Sequence, residues 1–369
     1  MKKLLIPYWK ASIPLFQKAA YERMVMVDNE FSESNNALNK LACEVLLKYN
    51  IEVENISVIQ SGTIKTVWKV KAKSGMLCLK RLRHTYDKAV FSVNAQIYIR
   101  GLGGNVPQVV KTSDGQAIVK HNEQLFVLYE WLHGKPLAFS GTPELLSAIE
   151  GLASFHLYSK GYKPLPSAKI SSKLGKWPSQ YDSMKRRLME WKEISKSISL
   201  PYHTTYFKQA DPVISVAGQA MELLSRSNYG SIAYDASSSA VLCHQDYGKG
   251  NAVMTDKGVY VIDLDGVTFD LPVRDLRKII GKTSQGKGQW EAAVISNILR
   301  CYTKINPLNS DEKKLLYIDM LFPHWFFGLV KNLFQNNKPL KPSEIEKTAR
   351  LELSKVPLLI SLLNEEGMI

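Results

Sequence analysis

The spacing of hydrophobic residues changes along the chain, from a strand-like to a helix-like period at about residue 130. Residues 55–130 contain short runs in which apolar and polar residues alternate, which is the period of a half-buried strand. One helical segment over about 87–100 interrupts these runs, which are ISVIQ, TVWKVK, MLCLKRL, QAIVKH and QLFVLYE. The pattern predicts a small, sheet-rich lobe.

A helical period dominates the chain after the GKP turn at 134–136. Thr142 and Pro143 are residue types of a helix N-cap and first turn, so we expect a helix over LLSAIEGLASFHLY. Short strands are predicted for AVLCH, NAVM and VYVID, and further helices over about 180–198, 211–227, 272–282, 288–304, 310–334 and 343–363. The whole pattern predicts an α+β protein in three parts: an N-terminal extension (1–40), a sheet lobe (41–131) and a mostly helical lobe (132–369).

The stretch HQDYGKGNAVMTDKGVYVIDLD, from His244 to Asp265, carries the densest candidate chemistry. Asp246 and Asn251 belong to a loop between two short apolar runs, and Asp263 follows a strand-like run. Phosphoryl transfer requires one carboxylate near the attacking hydroxyl and further oxygen ligands for Mg²⁺. Each short motif is common by itself, but loops at the ends of paired strands can direct such oxygens into one small volume. The spacing therefore indicates a metal–phosphate site.

A candidate phosphate-binding lysine lies upstream, in the run GMLCLKRL. The alternation places Met76, Cys78 and Lys80 on one face of a predicted strand. Protein kinases carry their phosphate-binding lysine on such a strand, after a glycine-containing turn that covers the nucleotide. The corresponding turn here is QSGTIKTVWKV, in which Gly62 is the single glycine. Lys80 is therefore the candidate ligand for nucleotide phosphates.

In these motifs the chain resembles the kinase-like phosphotransferases of the aminoglycoside and choline kinase type, over residues 41–350. Further matching strings are YEWLHGKPL (129–137), LASFH (152–156) and LPVRDLRKI (271–279). Within that group, IQSGTIKTVWKV, GGNVP, HQDYGKGN and VIDLDGVTFDLPVRDLRKII are similar to CotS-type spore coat proteins of endospore-forming bacteria. The resemblance implies a two-lobed protein kinase-like fold, with a small antiparallel sheet lobe and a larger helical lobe, and ATP with Mg²⁺ as cofactors.

The resemblance also implies a role for each matching residue. Asp246 is expected to be the catalytic base and Lys80 to meet the α and β phosphates. Asn251 and Asp263 are expected to be metal ligands, and Asp265 a second metal ligand or a supporting hydrogen-bond partner. Ser61, Gly62 and Thr63 are expected to form a turn over the nucleotide. Glu130 and Trp131 are expected to belong to the hinge that binds adenine.

Three further residues are expected to have structural roles. His244 is expected to orient the catalytic loop through hydrogen bonds. Asp275 is expected to tie down the loop that follows it. His156, on an apolar helix face, is expected to pack against the catalytic loop, because a single histidine on a core-facing stripe usually has a structural partner.

One departure from the kinase pattern concerns the partner of Lys80. Active kinases pair this lysine with a glutamate on the next helix, but the chain has no acidic residue between Asp87 and Asp114. Gln96 lies on the face of the predicted helix where the glutamate is expected, so an amide is one candidate replacement. Two alternatives remain open: the acid comes from another segment, or phosphoryl transfer is slow or absent.

Charge and composition restrict the class of partner. The chain has 48 Lys and Arg against 34 Asp and Glu, a formal net charge of +14, which favours anionic partners such as nucleotides, acidic glycans or acidic coat proteins. The sequence shows no helix-turn-helix, zinc-finger or aromatic RNA-binding signature, so we expect no nucleic-acid role. Its four cysteines lack metal-like spacing and are expected to be buried fillers in a reducing compartment.

Hydropathy gives expectations about membranes and location. The longest apolar region, LYIDMLFPHWFFGLV (316–330), contains Asp319 and His324, so we expect buried helix rather than a membrane span. Pro7 and Lys10 interrupt the N-terminal run before it could serve as a secretion signal. We therefore expect a protein that is not secreted, and the resemblance implies synthesis in the mother-cell cytoplasm and deposition in the spore coat.

Two functions are compatible with the sequence. The first is an ATP- and Mg²⁺-dependent phosphotransferase that acts on a hydroxyl group of a small molecule, a glycan or a coat protein. The second is a catalytically inactive, kinase-fold component of the coat, with a vestigial or nucleotide-sensing site and other coat proteins as partners. The segment around 160–235 is expected to select the acceptor, and six of its residues fit either an acceptor pocket or ordinary helix packing: Trp177, Tyr181, Lys185, Tyr202, His203 and Tyr206.

Overall fold

The computed structural model describes residues 33–61, 65–139, 141–234 and 241–368, and these form two compact units. The first unit contains the described residues as far as Lys135, together with Tyr162–Ile170 and Val253–Asp265. The second unit contains Pro136–Gly161, Ser171–Ala252 and the described residues from Gly266 onward. The chain therefore passes between the units several times.

An antiparallel sheet dominates the first unit, as the alternating pattern predicts. Its strands are ordered β1–β2–β3–β6–β4, with β5 also paired to β6. Their bounds are β1 Val53–Ser61, β2 Thr66–Ala72, β3 Gly75–Leu82, β4 Val109–Val110, β5 Val119–His121 and β6 Gln124–Glu130. Lys80 on β3 pairs with Val67 of β2 and with Val127 of β6, which places the lysine in the middle of the sheet.

Apolar residues on the two faces of this sheet pack into two separate cores. Helix α1 (Glu33–Leu46) packs with Trp68, Leu79 and Phe126 on one face. Helix α2 (Tyr86–Gly101) packs with Val127 and Tyr129 in the other core, which Cys78 also joins. Successive side chains of a strand point to opposite faces, so Lys80 lies on the same side as Cys78 and α2.

Helices make up most of the second unit, and two of them contain breaks that the sequence pattern does not reveal. Their bounds are α3 Thr142–Ser159, α4 Trp177–Lys196, α5 Pro201–Arg226, α6 Tyr229–Tyr234, α7 Val273–Lys287, α8 Ala292–Thr303, α9 Ser310–Leu321, α10 His324–Asn336, α11 Pro342–Ser354 and α12 Val356–Glu365. The predicted single helices over 310–334 and 343–363 are therefore each two helices. Pro323 and Pro357 lie at the breaks, where a missing N–H and a fixed φ interrupt the helix although the apolar spacing continues.

Two predicted helix starts are also wrong. The N-cap of α3 is Gly141, in extended conformation with φ −135° and ψ 161°, and Thr142 is already helical. The helix predicted to begin near residue 211 begins at Pro201 and contains Pro212 in its interior. Proline in a helix interior costs about 3 kcal/mol. It persists here because Ala210 and Val213, on either side of it, are fully buried in a core of the second unit.

The apolar region 316–330 is buried helix, and its charged residues lie inside the second unit. Asp319 is fully buried and accepts hydrogen bonds from Arg277, His324 and Tyr181. No helix within the described ranges is both long enough and apolar enough to cross a bilayer. The polar residues in this region therefore satisfy one another.

Short strands carry the residues of interest. Strands β7 (Lys135–Pro136), β9 (Ala252–Thr255) and β10 (Gly258–Val261) form a sheet of order β10–β9–β7, and β8 (Val241–Cys243) pairs with β11 (Thr268–Asp270). Asp263 follows β10 directly, ahead of a 3₁₀ turn over Leu264–Gly266. The predicted strands AVLCH, NAVM and VYVID are thus present.

Candidate functional site

A buried ammonium group held by two carboxylates forms the centre of the candidate site in the first unit. Lys80 Nζ lies 2.6 Å from Asp263 Oδ1 and 2.7 Å from Asp265 Oδ1. Lys80 is 7% exposed. Strand β3 fixes the lysine, and the segment after β10 supplies both carboxylates. The structure therefore brings together three of the predicted site residues, from segments more than 180 positions apart.

The backbone at Asp263 has an unusual conformation. Its φ is +64°, in the left-handed region that few residues other than glycine adopt. Aspartate tolerates this region better than most residues, and such strained conformations cluster at functional sites. The turn allows Asp263 and Asp265 to reach the same ammonium group from one short segment.

Opposite charges stabilise the ionised forms of these groups. Burial alone would lower the pKa of Lys80, but the carboxylates of Asp265 and Asp263 outweigh it and raise that pKa. Burial alone would raise the pKa of Asp263, but Lys80 and Lys65 hold it far below its ordinary value. Both groups therefore stay charged across the physiological pH range.

A second lysine, Lys65, was not identified from the sequence. Its Nζ lies 2.7 Å from Asp263 Oδ2, so each oxygen of this carboxylate contacts a different ammonium group. Lys65 directly precedes β2, and its position in QSGTIKTVWKV, three residues after the single glycine, is the signal that could have identified it.

The predicted substitution of an amide for the missing glutamate is wrong. Gln96 is buried on α2, but its Nε2 donates to the carbonyl oxygen of Pro107 at 2.6 Å. The partners of Lys80 are the two aspartates after β10. Of the two open alternatives, the first describes the structure: the acid comes from another segment.

The second unit contains the loop with Asp246 and Asn251. Asn251 Nδ2 donates to the carbonyl oxygen of Asp246 at 2.9 Å, and its backbone N–H donates to Gly248 at 3.0 Å. The backbone N–H of Asp246 donates to His244 Nδ1 at 3.3 Å. His244 thus orients the loop, as expected. Because the Asn251 nitrogen is committed to the loop, the amide oxygen is the end of this side chain suited to a metal ion.

Asp275 fixes the start of the same loop, and not the segment that follows it as predicted. Its carboxylate accepts hydrogen bonds from the backbone N–H groups of His244, at 2.6 Å, and Gln245, at 3.1 Å. It also lies 3.3 Å from His156 Nε2, and the other ring nitrogen of His156 lies 2.7 Å from Tyr302 Oη. His156 therefore has the structural role that was expected, through Asp275.

Two lysines of α7 place positive charge beside this loop. Lys278 Nζ donates to the backbone carbonyl of Gln245 and lies 3.2 Å from its side-chain oxygen. Gln245 has a φ of +69°, so the ammonium group stabilises a strained residue next to Asp246. Lys282 Nζ lies 3.2 Å from the point that a Cβ on Gly248 would occupy. The glycine thus leaves room for a cation next to the loop.

Two of the other predicted nucleotide-binding residues, Ser61 and Glu130, are the last residues of their strands, β1 and β6. Gly62 and Thr63 lie outside the described residues. The Glu130 carboxylate accepts from the backbone N–H of Gln108 at 2.9 Å. The backbone N–H of Trp131 donates to Met76 at 3.2 Å, and Lys69 Nζ lies 4.8 Å from the centre of a Trp131 ring.

Three of the six candidate acceptor-pocket residues lie in the interior of the second unit. Trp177, Tyr181 and Tyr206 are fully buried, and the indole of Trp177 donates to Asp270 at 2.9 Å. The hydroxyl of Tyr206 donates to the backbone of Leu188 at 2.7 Å. These three side chains therefore belong to helix packing.

The donor chemistry of the site residues fits a hard divalent cation. Asp263 and Asp265 of the first unit offer carboxylate oxygens, which are ligands that Mg²⁺ accepts. A different cluster, His156, Cys243 and Asp275, has ligand atoms within 4.8 Å of one another. Each member of this cluster already has a hydrogen-bond partner in the protein: the Cys243 thiol donates to Leu271, Asp275 accepts from two backbone N–H groups, and His156 contacts Tyr302.

Comparison with known proteins agrees with the motifs. The family described as "Spore coat putative kinase YutH" matches residues 45–356. Spore coat protein S of Bacillus subtilis (strain 168) is 22% identical over 300 residues, which cover 81% of this chain and 86% of that protein.

Solved structures show the same fold. The aminoglycoside phosphotransferase from Alicyclobacillus acidocaldarius has a TM-score of 0.72 at 16% identity, over 88% of this chain and 96% of its own. Amicoumacin kinase hAmiN, in complex with AMP-PNP, Ca²⁺ and Ami, has a TM-score of 0.58 at 14% identity, over 88% of this chain and 94% of its own. The predicted kinase-like α+β fold and the resemblance to CotS-type proteins are confirmed.

Proposed function

Because the chain belongs to the family described as spore coat putative kinase YutH, we propose that it binds ATP with Mg²⁺ and transfers the γ-phosphoryl group to a hydroxyl. The observation that carries the proposal is the buried Lys80 ammonium, held by Asp263 and Asp265. Desolvating three charges is costly unless they are well paired, and apolar side chains would fill the same space at a lower cost in free energy. The arrangement supports a phosphate-binding role.

In this proposal each residue has one task. Lys80 binds the α and β phosphates, and Asp263, Asp265 and Asn251 supply oxygen ligands for the metal. When bound, Mg²⁺ neutralises charge on the transferred group. Asp246 accepts the proton of the acceptor hydroxyl while a bond forms from that oxygen to the γ-phosphorus and the bond to ADP breaks. The positive charges of Lys278 and Lys282 suit a loop that handles anionic groups.

Association with the spore coat is the second part of the proposal. The family description and the similarity to spore coat protein S support it. The hydroxyl acceptor then belongs to a small molecule, a glycan or another coat protein. The net charge of +14 favours acidic components of that layer as partners.

An inactive, structural coat component is the second candidate. One observation favours it: α2 supplies no carboxylate to Lys80. The amide of Gln96 on this helix donates to Pro107 instead. Nucleotide binding separates the proposal from a scaffold with a vestigial site, and transfer of phosphate from bound ATP separates it from an inactive component that only senses nucleotide.

Thermal unfolding with and without Mg²⁺-ATP tests the proposal. A ligand at 100 times its dissociation constant stabilises the folded state by about 2.7 kcal/mol, which corresponds to several degrees in Tm. We expect this shift for the wild type and its loss in Asp263→Ala. Asp256→Ala, an exposed aspartate of the β9–β10 turn, is the matched control and should keep the shift. If millimolar Mg²⁺-ATP leaves the wild-type Tm unchanged, the structural candidate stands.

A further inference from the structure

The contact between Lys65 and Asp263 is absent from the expected kinase pattern. Asp263 Oδ1 contacts Lys80 at 2.6 Å and Oδ2 contacts Lys65 at 2.7 Å. Both oxygens of the carboxylate proposed as a metal ligand are therefore paired with ammonium groups. A divalent cation and an ammonium group cannot share one carboxylate oxygen at such distances, because like charges a few ångströms apart repel strongly.

The two lysines differ in how firmly they are held. The Lys80 side chain is 9% exposed and contacts two carboxylates. The Lys65 side chain is 22% exposed, and among the described residues its ion pair is with Asp263 alone. A partly exposed ammonium group with one partner is less costly to move than a buried one with two. Lys65 is therefore the lysine that a metal ion would displace.

A displaced ammonium group needs a new anion. Lys65 directly precedes β2 and lies four positions after Ser61, the last residue of β1. The resemblance implies that the segment of sequence between these two strands covers the nucleotide. The long, flexible side chain of Lys65 can reach new partners without a backbone change. Nucleotide phosphates are the anions that the proposed function brings to this place.

We infer that Lys65 is an exchangeable cation: it occupies Asp263 Oδ2 until metal and nucleotide arrive together, then yields that oxygen to the metal and binds the nucleotide phosphates. Lys65 would thereby exclude free metal and couple metal binding to nucleotide binding. Such a coupling is reciprocal, so each ligand raises the affinity for the other by the same factor. This inference rests on the proposed nucleotide site.

The test measures two affinities in the full chain of Lys65→Gln. One is the Kd of Mn²⁺ without nucleotide, by electron paramagnetic resonance of the free ion. The other is the Kd of ADP at saturating Mg²⁺, by calorimetry, because Lys65 is released to the phosphates only when metal is present. Removing the competing ammonium should tighten Mn²⁺ binding about tenfold, and removing a phosphate partner should weaken ADP binding about tenfold, within the usual range of coupling between sites.

The diagnostic result is that Lys65→Gln tightens Mn²⁺ binding and weakens ADP binding. Lys65→Arg keeps the positive charge and should stay close to the wild type in both assays. Lys71→Gln, which removes an exposed lysine of β2 that is paired with Glu54, should change neither Kd. If Lys65→Gln changes both affinities in the same direction, or neither, Lys65 is a structural or surface residue and the inference fails while the proposed function survives. If the wild type binds neither nucleotide nor Mn²⁺, both fail.

Discussion

At the scale of single residues, Asp275 shows how one buried carboxylate organises the proposed catalytic loop. It is fully buried, accepts hydrogen bonds from two backbone N–H groups and contacts His156. Asp246 follows within two positions of those N–H groups. The position of the proposed base therefore depends on a residue that takes no part in the chemistry.

Replacing Asp275 by alanine should destabilise the protein by about 3 kcal/mol or more, because two buried N–H groups lose their acceptor and His156 loses its partner. The free energy of unfolding in urea measures this effect. Asp256→Ala removes an exposed carboxylate and should change that free energy by less than about 0.5 kcal/mol. A small effect of Asp275→Ala would mean that other contacts hold the loop.

The same residue gives a pH dependence of stability. Burial would raise the pKa of Asp275, but the hydrogen bond from His156 and nearby positive charges outweigh it and lower that pKa to about 2. A carboxyl group whose pKa is depressed on folding stabilises the protein above its unfolded pKa and loses this contribution as the pH falls through the folded value.

We therefore expect about 2 kcal/mol of stability from Asp275 near neutral pH, lost progressively as the pH falls from about 4 to about 2. Urea unfolding of the wild type and of Asp275→Asn over this pH range measures it. The difference in unfolding free energy between the two proteins should shrink toward acid pH. A constant difference would show that the carboxylate charge contributes little.

At the scale of elements, the amide of Gln96 links helix α2 to Pro107, in the loop that leads to β4. Gln96→Glu restores the residue that kinases use, yet here it would place a carboxylate against the Pro107 carbonyl. We expect destabilisation by about 1–3 kcal/mol, from an unsatisfied buried acceptor, and no gain in Mg²⁺-ATP affinity. Gln96→Met, which adds no charge, should cost less. A tighter ATP site in Gln96→Glu would show that Lys80 can exchange its partners.

Helix α7 offers a matched pair of glycines. A Cβ on Gly281 would lie 1.8 Å from the Trp325 ring, whereas a Cβ on Gly286 would meet nothing within 4 Å. Gly281→Ala should destabilise the protein by about 1–3 kcal/mol through overpacking. Gly286→Ala should stabilise it by about 0.5 kcal/mol, since alanine is the better helix former. Thermal unfolding of both variants measures these effects, and equal shifts would contradict the close packing of α7 on Trp325.

At the scale of the whole molecule, the net charge of +14 is the dominant electrostatic property. Self-repulsion of like charges destabilises a compact state. Raising the ionic strength from 0.01 to 0.15 M shortens the Debye length from about 30 to about 8 Å. We expect Tm to rise by a few degrees over this range in differential scanning calorimetry. Choline chloride should reproduce the NaCl curve, and a falling Tm would show that attractive surface pairs outweigh the repulsion.

The sequence alone determined a sheet lobe followed by a helical lobe, because strand and helix periods are local properties of the chain. The kinase-like fold was implied by the resemblance of its motifs to a known family. Strand alternation around Lys80, helical periodicity after residue 136 and the loop residues Asp246 and Asn251 are all encoded within short windows. Helix breaks at Pro323 and the early start of α5 at Pro201 were missed, since apolar spacing continues across a break and proline is tolerated where packing compensates.

The tertiary structure alone decided which charges meet. Lys80 pairs with Asp263 and Asp265 across more than 180 positions, and Lys65 joins them, while Gln96 turns to Pro107. Asp275 holds a loop some 30 positions before it. Such partners depend on how distant segments pack, and a missing glutamate in the sequence carries no information about the acid that replaces it. Periodicity is local, whereas the pairing of buried charges is a property of the packed chain.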